Sequence, residues 1–234
     1  MTGAALVTGA AGAIGKAIAH RLAATGWTVI GLDRAFADPD PALADSLVLD
    51  LADIHCVLRS LERLCATQAI TALVNCAGIA TVGPFVDSEP AGWCRMLDVN
   101  LLACFATSQA VIPGMIGRRM GSIVNIVSDS ARVGAAGEAA YAASKGGLIA
   151  FSKSLAQELG RHNVRINCVS PGPVDTAMSV PNVGLRDKLV RRTPLRRLGD
   201  PDDIAAAVDF LVGDHASFIT GQVLSVSGGL TMVG

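Results

Sequence analysis

Tyr141 and Lys145 are the residues in this sequence whose types and spacing most directly suggest proton-transfer chemistry. On a helix, residues four positions apart lie one turn above the other on the same face, so the phenol and the ammonium project toward the same point. A free tyrosine has a pKa of about 10 and is a poor base at neutral pH, but a neighbouring positive charge favours the phenolate and lowers that pKa. The pair predicts a general acid/base group, although the same spacing also occurs in ordinary surface residues.

A glycine-rich turn lies near the start of the chain, between a predicted strand at 4–8 and a helical pattern that includes Ile18 and Leu22. The small residues at 9–15 allow the backbone to approach a pyrophosphate closely, and the helix N-terminus adds free N–H groups and the positive end of a dipole. Because strand, turn and helix follow one another in that order, the stretch predicts a dinucleotide-binding site.

An acid follows the second predicted strand, 27–32. Asp33 lies 18 residues beyond the last glycine of the turn, and a carboxylate there can accept hydrogen bonds from both adenosine ribose hydroxyls while repelling a 2′-phosphate. The sequence therefore predicts NAD, although Arg34 leaves room for NADP. Asp50 and Leu51 end the third strand and are expected to hold the edge and the face of the adenine.

The remaining pattern alternates strands with helices. Strands are predicted at 4–8, 27–32, 46–49, 70–75, 122–128, 164–170 and 223–226, and the clearest helices at 53–66, 89–119, 138–161 and 202–213. Since parallel strands need crossover helices, this order predicts an α/β fold, a single domain over 1–234 with a Rossmann-like, doubly wound, seven-stranded parallel sheet flanked by helices. Ligands bind outside the carboxyl ends of such strands, so Asp33, Asn75 and Ser128 are expected at one edge.

Bulk composition argues against several other classes of function. A net charge of −1 and 4% aromatic residues give no basis for binding nucleic acid or an anionic membrane. No positive charge precedes the first apolar run, and the uncharged stretch 99–117 contains polar residues, so neither a signal peptide nor a membrane span is predicted. Six cysteines and four histidines without metal-binding spacing predict reduced, mostly buried thiols, no metal site and a cytoplasmic protein.

Five separate motifs occur in an order that resembles a known family. They are Thr8-Gly9 with Gly15, Asn75-Cys76-Ala77-Gly78, Asn100, Ser128 thirteen residues before Tyr141-x-x-x-Lys145, and Pro171-Gly172. Together they resemble the short-chain dehydrogenase/reductase superfamily, over residues 4–229. One departure is Ala13, which stands at the middle glycine of that family's usual loop, with Gly12 before it.

The resemblance implies a mechanism that the residue types also support. Tyr141 would be the general acid/base, Lys145 would lower its pKa and hold the nicotinamide ribose, and Ser128 would donate a hydrogen bond to the substrate oxygen. Asn100 would help to bind a water that relays protons toward the lysine. The cofactor-binding residues expected from the resemblance and from the loop arguments are Gly9, Gly12, Ala13, Ile14, Gly15, Asp33, Arg34, Asp50, Leu51, Asn75, Ala77, Gly78, Tyr141, Lys145, Pro171, Gly172, Val174 and Thr176.

The implied reaction is hydride transfer between a nicotinamide cofactor and a secondary alcohol or ketone. Short matches at 31–36, 128–131 and 169–172 are most similar to 2,3-dihydro-2,3-dihydroxybenzoate dehydrogenases and related oxidisers of cyclic alcohols, which favours a cyclic diol or a hydroxy acid. The family's 3-oxoacyl-carrier-protein reductases share the catalytic motifs. Reduction of an acyl-carrier-protein or coenzyme A thioester is therefore the alternative, although those enzymes more often use NADPH, which Asp33 disfavours.

A short substrate lid is expected at about 176–197. Part of it carries several cations against one acid, Asp187, and would suit a carboxylate, a coenzyme A thioester or an acidic carrier protein. The cations are Arg186, Lys188, Arg191, Arg192, Arg196 and Arg197. A solvated helix face whose cations pair elsewhere explains the same residues.

A dinucleotide-binding sensor or scaffold without catalysis is the alternative from another class, because fold alone does not give function. The presence of all four candidate catalytic residues favours an enzyme. Apolar helical stretches around 89–118 and 138–161 exceed what one sheet face needs, and the family is commonly tetrameric. A homotetramer built as a dimer of dimers is therefore expected.

Overall fold

Seven parallel strands form one sheet at the centre of the protein. The computed structural model describes residues 3–176 and 183–233. Its strands are β1 (Ala4–Thr8), β2 (Thr28–Asp33), β3 (Asp45–Val48), β4 (Ile70–Asn75), β5 (Gly121–Ile126), β6 (Val164–Pro171) and β7 (Val223–Val226). They lie in the order β3-β2-β1-β4-β5-β6-β7, and each neighbouring pair is parallel. The predicted fold class is confirmed.

Helices cover both faces of this sheet. They are α1 (Ala13–Ala24), α2 (Ile54–Thr67), α3 (Pro90–Leu97), α4 (Ala103–Arg118), α5 (Ser130–Val133), α6 (Ala139–Leu159), α7 (Val183–Arg192) and α8 (Pro201–Val212). Successive strand residues point to opposite faces, so Val74 belongs to the apolar cluster that contains residues of α1 and α8, whereas Leu73 belongs to the one built with α2 and α4. Each strand is therefore apolar on both sides, which explains the continuous runs in the sequence.

Three features differ from the sequence prediction. β5 ends at Ile126, so Ser128 lies in the turn after the strand and does not end it. The helix predicted at 89–119 contains one π-helical turn, Asp98–Leu102. A helix, α7, lies within the segment predicted as a substrate lid at about 176–197, and residues 177–182 of that lid lie outside the described residues.

The helical run Pro90–Arg118 is long and apolar enough to cross a membrane by length and composition alone. However, 50% of its most apolar window is buried inside the protein. Val111 and Met115 of α4 belong to the same buried cluster as Leu73 of β4. This packing is the buried-helix arrangement that the sequence predicted for 99–117.

A chain of buried hydrogen bonds joins β4 and β5 to the helices beside them. Thr107 Oγ1 donates to Asn75 Oδ1 (2.7 Å), and Asn75 Nδ2 donates to Asn125 Oδ1 (2.8 Å). Asn125 Nδ2 in turn donates to Ser152 Oγ (2.8 Å). Because both ends of the Asn75 amide are used inside the protein, a contact of this residue with a cofactor would have to come from its backbone, and its place in the cofactor site stays a prediction.

The strand order reverses between β1 and β4, which opens a crevice at their carboxyl ends. Thr8, 2% exposed, lies at the end of β1. Its Oγ1 accepts hydrogen bonds from the backbone N–H groups of Cys76 and Ala77, both at 3.1 Å. One hydroxyl thus ties together the two chain segments that flank the crevice.

We expect Thr8→Val to lower the free energy of unfolding by about 1–3 kcal/mol, because two partly buried N–H donors lose their acceptor. Urea unfolding followed by circular dichroism measures the change. Thr8→Ser keeps the hydroxyl and is the matched control, which should retain most of the stability. A Thr8→Val variant that is as stable as the wild type would contradict this role of the hydroxyl.

Candidate active site

The glycine-rich turn packs against the loop after β4, at the crevice between β1 and β4. Gly9 has a φ of +70°, and a Cβ there would lie 2.8 Å from the Cα and the N of Ala77. A Cβ on Gly15 would clash with the carbonyl oxygen of Gly9. Gly12 is the N-cap of α1, and no side chain caps the helix. The first N–H groups of α1 are therefore suited to an anion, and the cradle fits the pyrophosphate of a dinucleotide.

The outer residues of the turn are small and accessible. Gly12 and Ala13 are exposed, whereas Ile14 is half-buried and packs against the core cluster on the α1 face. Ala13 is the first residue of α1. Its exposed methyl group is accommodated at the position where the family's usual loop has glycine.

Asp33 ends β2 beside this turn. Its Oδ2 accepts a hydrogen bond from the Ala11 N–H (3.0 Å), and its Oδ1 accepts one from the Arg34 N–H (2.7 Å). The carboxylate is held next to the turn that would bind the pyrophosphate, which fits a contact with the adjoining ribose. Arg34 is exposed at the same place.

Asp50 and Leu51 fit the predicted adenine contacts less well. Asp50 Oδ1 accepts from the Ala52 N–H (3.0 Å), and Arg95 Nη2 lies 2.9 Å from Asp50 Oδ2. These two contacts hold the pKa of Asp50 below its usual value. Leu51 is 5% exposed and packs in the core. A contact of this residue with the adenine stays a prediction, and with the side chain turned inward it would involve the backbone.

Lys145 is buried at the centre of the site, 3% exposed. Its Nζ donates a hydrogen bond to the Ile126 carbonyl (2.8 Å). A Cβ on Gly78 would lie 3.3 Å from that Nζ and 3.4 Å from Asn100 Oδ1, so the missing side chain makes room for the ammonium. Burial lowers the pKa of Lys145.

Three thiols lie around this ammonium. Burial raises the pKa of Cys76 to about 12 and the pKa of Cys104 and of Cys168 to about 11, so all three stay protonated at neutral pH. Of the six cysteines, only Cys104 and Cys168 are buried as whole residues, and Cys94 is exposed. The prediction of mostly buried cysteines is therefore wrong.

Asn100 lies in the π-helical turn and is fully buried. Its Oδ1 accepts from the Ile79 N–H (2.8 Å), while its Nδ2 donates to the Ile79 carbonyl (2.9 Å) and to Ser144 Oγ (3.1 Å). The amide thereby fixes the backbone beside Gly78 and contacts the helix that carries Lys145. Its part in a proton relay stays a prediction.

Ser128, Ser130 and Tyr141 form a short chain of hydroxyl groups. Ser128 Oγ accepts from the Ser130 N–H (3.2 Å) and lies 2.9 Å from Ser130 Oγ. The same hydroxyl interacts with the Tyr141 phenol and lowers its pKa. The Ser130 N–H uses one acceptor position of Ser128 Oγ, and the Ser128 O–H can donate to the phenol or to a substrate oxygen.

The main influences on the pKa of Tyr141 come from burial and from Ser128 and Glu138, and the predicted effect of Lys145 stays a prediction. Burial raises the pKa of Tyr141, the hydrogen bond from Ser128 opposes that rise, and the negative charge of Glu138 adds to it. The Lys145 ammonium is directed to the Ile126 carbonyl. The phenol therefore stays protonated at neutral pH, which suits donation of a proton to a carbonyl oxygen.

The segment after β6 is packed closely against its neighbours. Pro171 ends β6, and a Cβ on the following Gly172 would lie 2.7 Å from the Cβ of Ser227. Val174 forms an isolated parallel bridge with Gly199 and is 1% exposed. The side chain of Val174 belongs to the core, so a contact of this residue with a nicotinamide would have to come from its backbone.

The basic segment, residues 186–197, is less positive than its composition suggests. Arg186 pairs with Asp175 (2.5 Å), and Arg197 pairs with Asp203 on α8 (2.5 Å). Both acids lie outside 186–197, which is why counting charges within the segment overstated its field. Thr176 is half-buried and is the last residue of the described range 3–176. The cations exposed on α7 besides Arg186 are Lys188, Arg191 and Arg192.

Three contributors to the site did not emerge from the sequence. Ser130 had a local signal, because a serine two residues after another in a turn can hydrogen-bond to it. Ser144 and Arg95 had none, since each reaches the site through a contact between separate helices or loops.

This combination of sheet and site defines a nicotinamide-dependent oxidoreductase of the Rossmann type. A family model described as enoyl-(acyl carrier protein) reductase matches residues 9–231. Nodulation protein G of Rhizobium meliloti (strain 1021) is 39% identical over 238 residues, which are 98% of this chain and 97% of that protein. The chain belongs to the short-chain dehydrogenase/reductase superfamily.

Other relatives carry enzyme names. Acetoacetyl-CoA reductase of Allochromatium vinosum is 37% identical, covering 97% of this chain and 98% of its own. The 3-oxoacyl-[acyl-carrier-protein] reductase FabG of Escherichia coli (strain K12) is 38% identical, covering 98% and 97%. A crystal structure from Agrobacterium tumefaciens, whose protein is provisionally named gluconate dehydrogenase, superposes with a TM-score of 0.90 at 27% identity and covers 98% of this chain and 96% of that one.

Tyr141 is the one tyrosine in the sequence, so the near-ultraviolet absorbance of phenolate reports its ionisation alone. We expect Ser128→Ala to raise its pKa by about 0.5–1 unit, the equivalent of one net hydrogen bond. Oxidation requires the phenolate, so the rate of oxidation should begin to rise at a correspondingly higher pH. The control is Ser154→Ala, which changes an exposed serine of α6. It should alter neither the pKa of Tyr141 nor the pH dependence of oxidation. A titration that Ser128→Ala leaves unaltered would contradict the hydroxyl chain.

Proposed function

We propose that this protein catalyses the NADH-dependent reduction of a 3-oxoacyl thioester to a 3-hydroxyacyl thioester, together with the reverse oxidation. The observation that carries the proposal is the pair of relatives named acetoacetyl-CoA reductase and 3-oxoacyl-[acyl-carrier-protein] reductase, which match this chain over nearly their whole length. Tyr141 and Ser128, which interact with each other, would supply the acid/base and the hydrogen-bond donor that this reaction needs.

The chain's own residues would act on the carbonyl oxygen. When bound, NADH supplies the hydride that reduces the carbonyl carbon. Tyr141 donates its phenol proton to the oxygen as the C=O becomes C–OH, and Ser128 donates a hydrogen bond that stabilises the negative charge developing there. Lys145, in the space beside Gly78, would hold the nicotinamide ribose through its ammonium. In oxidation the Tyr141 phenolate accepts the hydroxyl proton.

The rim of the site suits an amphipathic substrate. Val82, Phe85 and Val86 follow β4 and are 67%, 54% and 89% exposed. Gly83 N–H donates to the Gly137 carbonyl (3.0 Å), which joins this apolar loop to the one before α6. An acyl chain could lie against these side chains, while the exposed cations of α7 would attract the anionic coenzyme A or carrier.

A hydroxy acid or a cyclic diol is the second candidate substrate. The structural neighbour named gluconate dehydrogenase favours it, since that structure covers almost the whole of both chains. The catalytic roles of Tyr141 and Ser128 would be the same, with oxidation as the working direction.

The test measures NADH consumption with acetoacetyl-CoA and NAD reduction with a cyclic diol and a hydroxy acid, with NADP(H) in parallel. We expect turnover with the thioester. Tyr141→Phe should lose about 10²–10⁴-fold in rate because it removes the proton donor, while calorimetry still detects NADH binding. Turnover only with the diol or hydroxy acid would replace the first candidate by the second. Full activity of Tyr141→Phe would contradict the mechanism for either substrate.

We also propose that NAD is the preferred cofactor. The hydrogen bond from the Ala11 N–H to Asp33 supports this, because it holds a negative charge beside the turn that would bind the pyrophosphate. A 2′-phosphate on the ribose would meet that charge.

We expect Asp33→Ala to weaken NAD binding by about 10–100-fold, the loss of hydrogen bonds to a charged group, and to improve binding of NADP relative to NAD. Calorimetry with both nucleotides measures the change. Asp38→Ala removes an equal charge from the exposed connection after β2 and should alter neither affinity. An unchanged NAD-to-NADP ratio in Asp33→Ala would show that the carboxylate does not reach the ribose.

A cytoplasmic homotetramer is the remaining part of the proposal. All six cysteines are free thiols, which supports a reducing compartment. Exposed apolar side chains lie both around the start of α4, at Leu97, Leu102 and Phe105, and around β7, at Phe218 and Leu224. Apolar side chains in two parts of the chain would suit the two kinds of interface in a dimer of dimers. Light scattering should give about four times the chain mass of 23.9 kDa; a monomeric mass would reject this state.

A further inference from the structure

A buried carboxylate that the proposed reaction does not use lies directly after Ser128. Asp129 is 6% exposed. Its Oδ1 accepts a hydrogen bond from Ser170 Oγ (2.6 Å), and its Oδ1 and Oδ2 accept from Ser225 Oγ (3.0 and 2.9 Å). Its backbone N–H donates to the Pro171 carbonyl (3.2 Å). The chain segment after β5 is thus tied to β6 and β7 at one residue.

The partners of Asp129 are hydroxyl groups, and within residues 3–176 and 183–233 no cation pairs with it. A buried carboxylate is costly unless hydrogen bonds satisfy it, and an apolar side chain would avoid that cost. The Asp129 carboxylate nevertheless accepts hydrogen bonds from serines on two different strands, β6 and β7. Its geometry therefore points to a role in holding strand ends at a fixed separation.

The neighbours of Asp129 on both sides belong to the site. Ser128 precedes it and lowers the pKa of the Tyr141 phenol. Ser170 and Pro171, which Asp129 contacts through its side chain and its N–H, end β6 immediately before Gly172. A shift of the turn after β5 would therefore move the Ser128 hydroxyl relative to both the phenol and this segment.

We propose that Asp129 is a positioning residue, whose carboxylate fixes the turn after β5 to β6 and β7 and so keeps the Ser128 hydroxyl on the Tyr141 phenol. The inference rests on the proposed roles of Ser128 and Tyr141. It adds a residue on which the reaction depends without contact to substrate.

The two possible roles of Asp129, as a positioning residue and as a negative charge acting through space, predict opposite changes in the pKa of Tyr141. If Asp129 acts through position, its loss removes the Ser128 hydrogen bond and raises the Tyr141 pKa. If Asp129 acts as a negative charge through space, its loss lowers that pKa. Asp129→Asn separates the two, because the amide keeps hydrogen-bonding capacity toward the serines but carries no charge.

The experiment titrates Tyr141 by phenolate absorbance in Asp129→Ala and Asp129→Asn without added nucleotide or substrate, and measures kcat on the active substrate. We expect Asp129→Ala to raise the pKa by roughly 0.5–1 unit and to lower kcat by about 10–100-fold, as misplacement of a catalytic group does. Asp129→Asn should lie close to the wild type in both. Ser154→Ala is again the control.

Ser170→Ala keeps the carboxylate and removes its donor on β6. It should shift the titration in the same direction as Asp129→Ala, and it decides the question if Asp129→Ala does not fold. A folded Asp129→Ala with an unchanged titration would overturn the proposal, as would Ala and Asn variants that shift together to lower pKa. Because the titration needs no turnover, failure of the proposed substrate leaves this result readable.

Discussion

The removal of the Lys145 ammonium from water is the constraint on which the rest of the site depends. An ammonium buried without a counter-ion costs several kcal/mol, and here its direct partner is the carbonyl of Ile126. Gly78 gives it space, and Asn100 fixes the backbone beside that glycine. The same burial shifts the pKa of Tyr141 in the opposite direction. Desolvation disfavours the charged form of both groups, so the pKa of the lysine falls and that of the phenol rises.

Much of the fold could be predicted because parallel strands buried on both faces leave uninterrupted apolar runs, and glycine turns separate them from helices. The same logic placed Asp33 beside the glycine-rich turn and brought Ser128 and Tyr141 to one edge of the sheet. These successes share a cause. Residues that follow strand ends lie at the carboxyl edge whatever their side chains do, so the sequence order alone locates them.

The failures concern where a side chain points and what it meets. Asn75, Leu51 and Val174 lie at the expected edge, but the alternation of strand residues and the packing of the loops turn their side chains inward, which the sequence did not indicate. The acids that neutralise part of the basic segment lie outside it in sequence. The fixing of strand ends by Thr8 and Asp129 likewise depends on pairings between distant segments, which local patterns do not encode.

The central claim is that the phenol of Tyr141 is the group that exchanges the proton with substrate. It is tested most directly by titrating this tyrosine in the complex with NAD and by measuring, at saturating NAD, the pH dependence of kcat/KM for oxidation. Because kcat/KM reports the ionisation of the enzyme form that meets the substrate, the account predicts one and the same pKa in both measurements. A phenol that ionises at a clearly different pH from the one that governs the rate would contradict it.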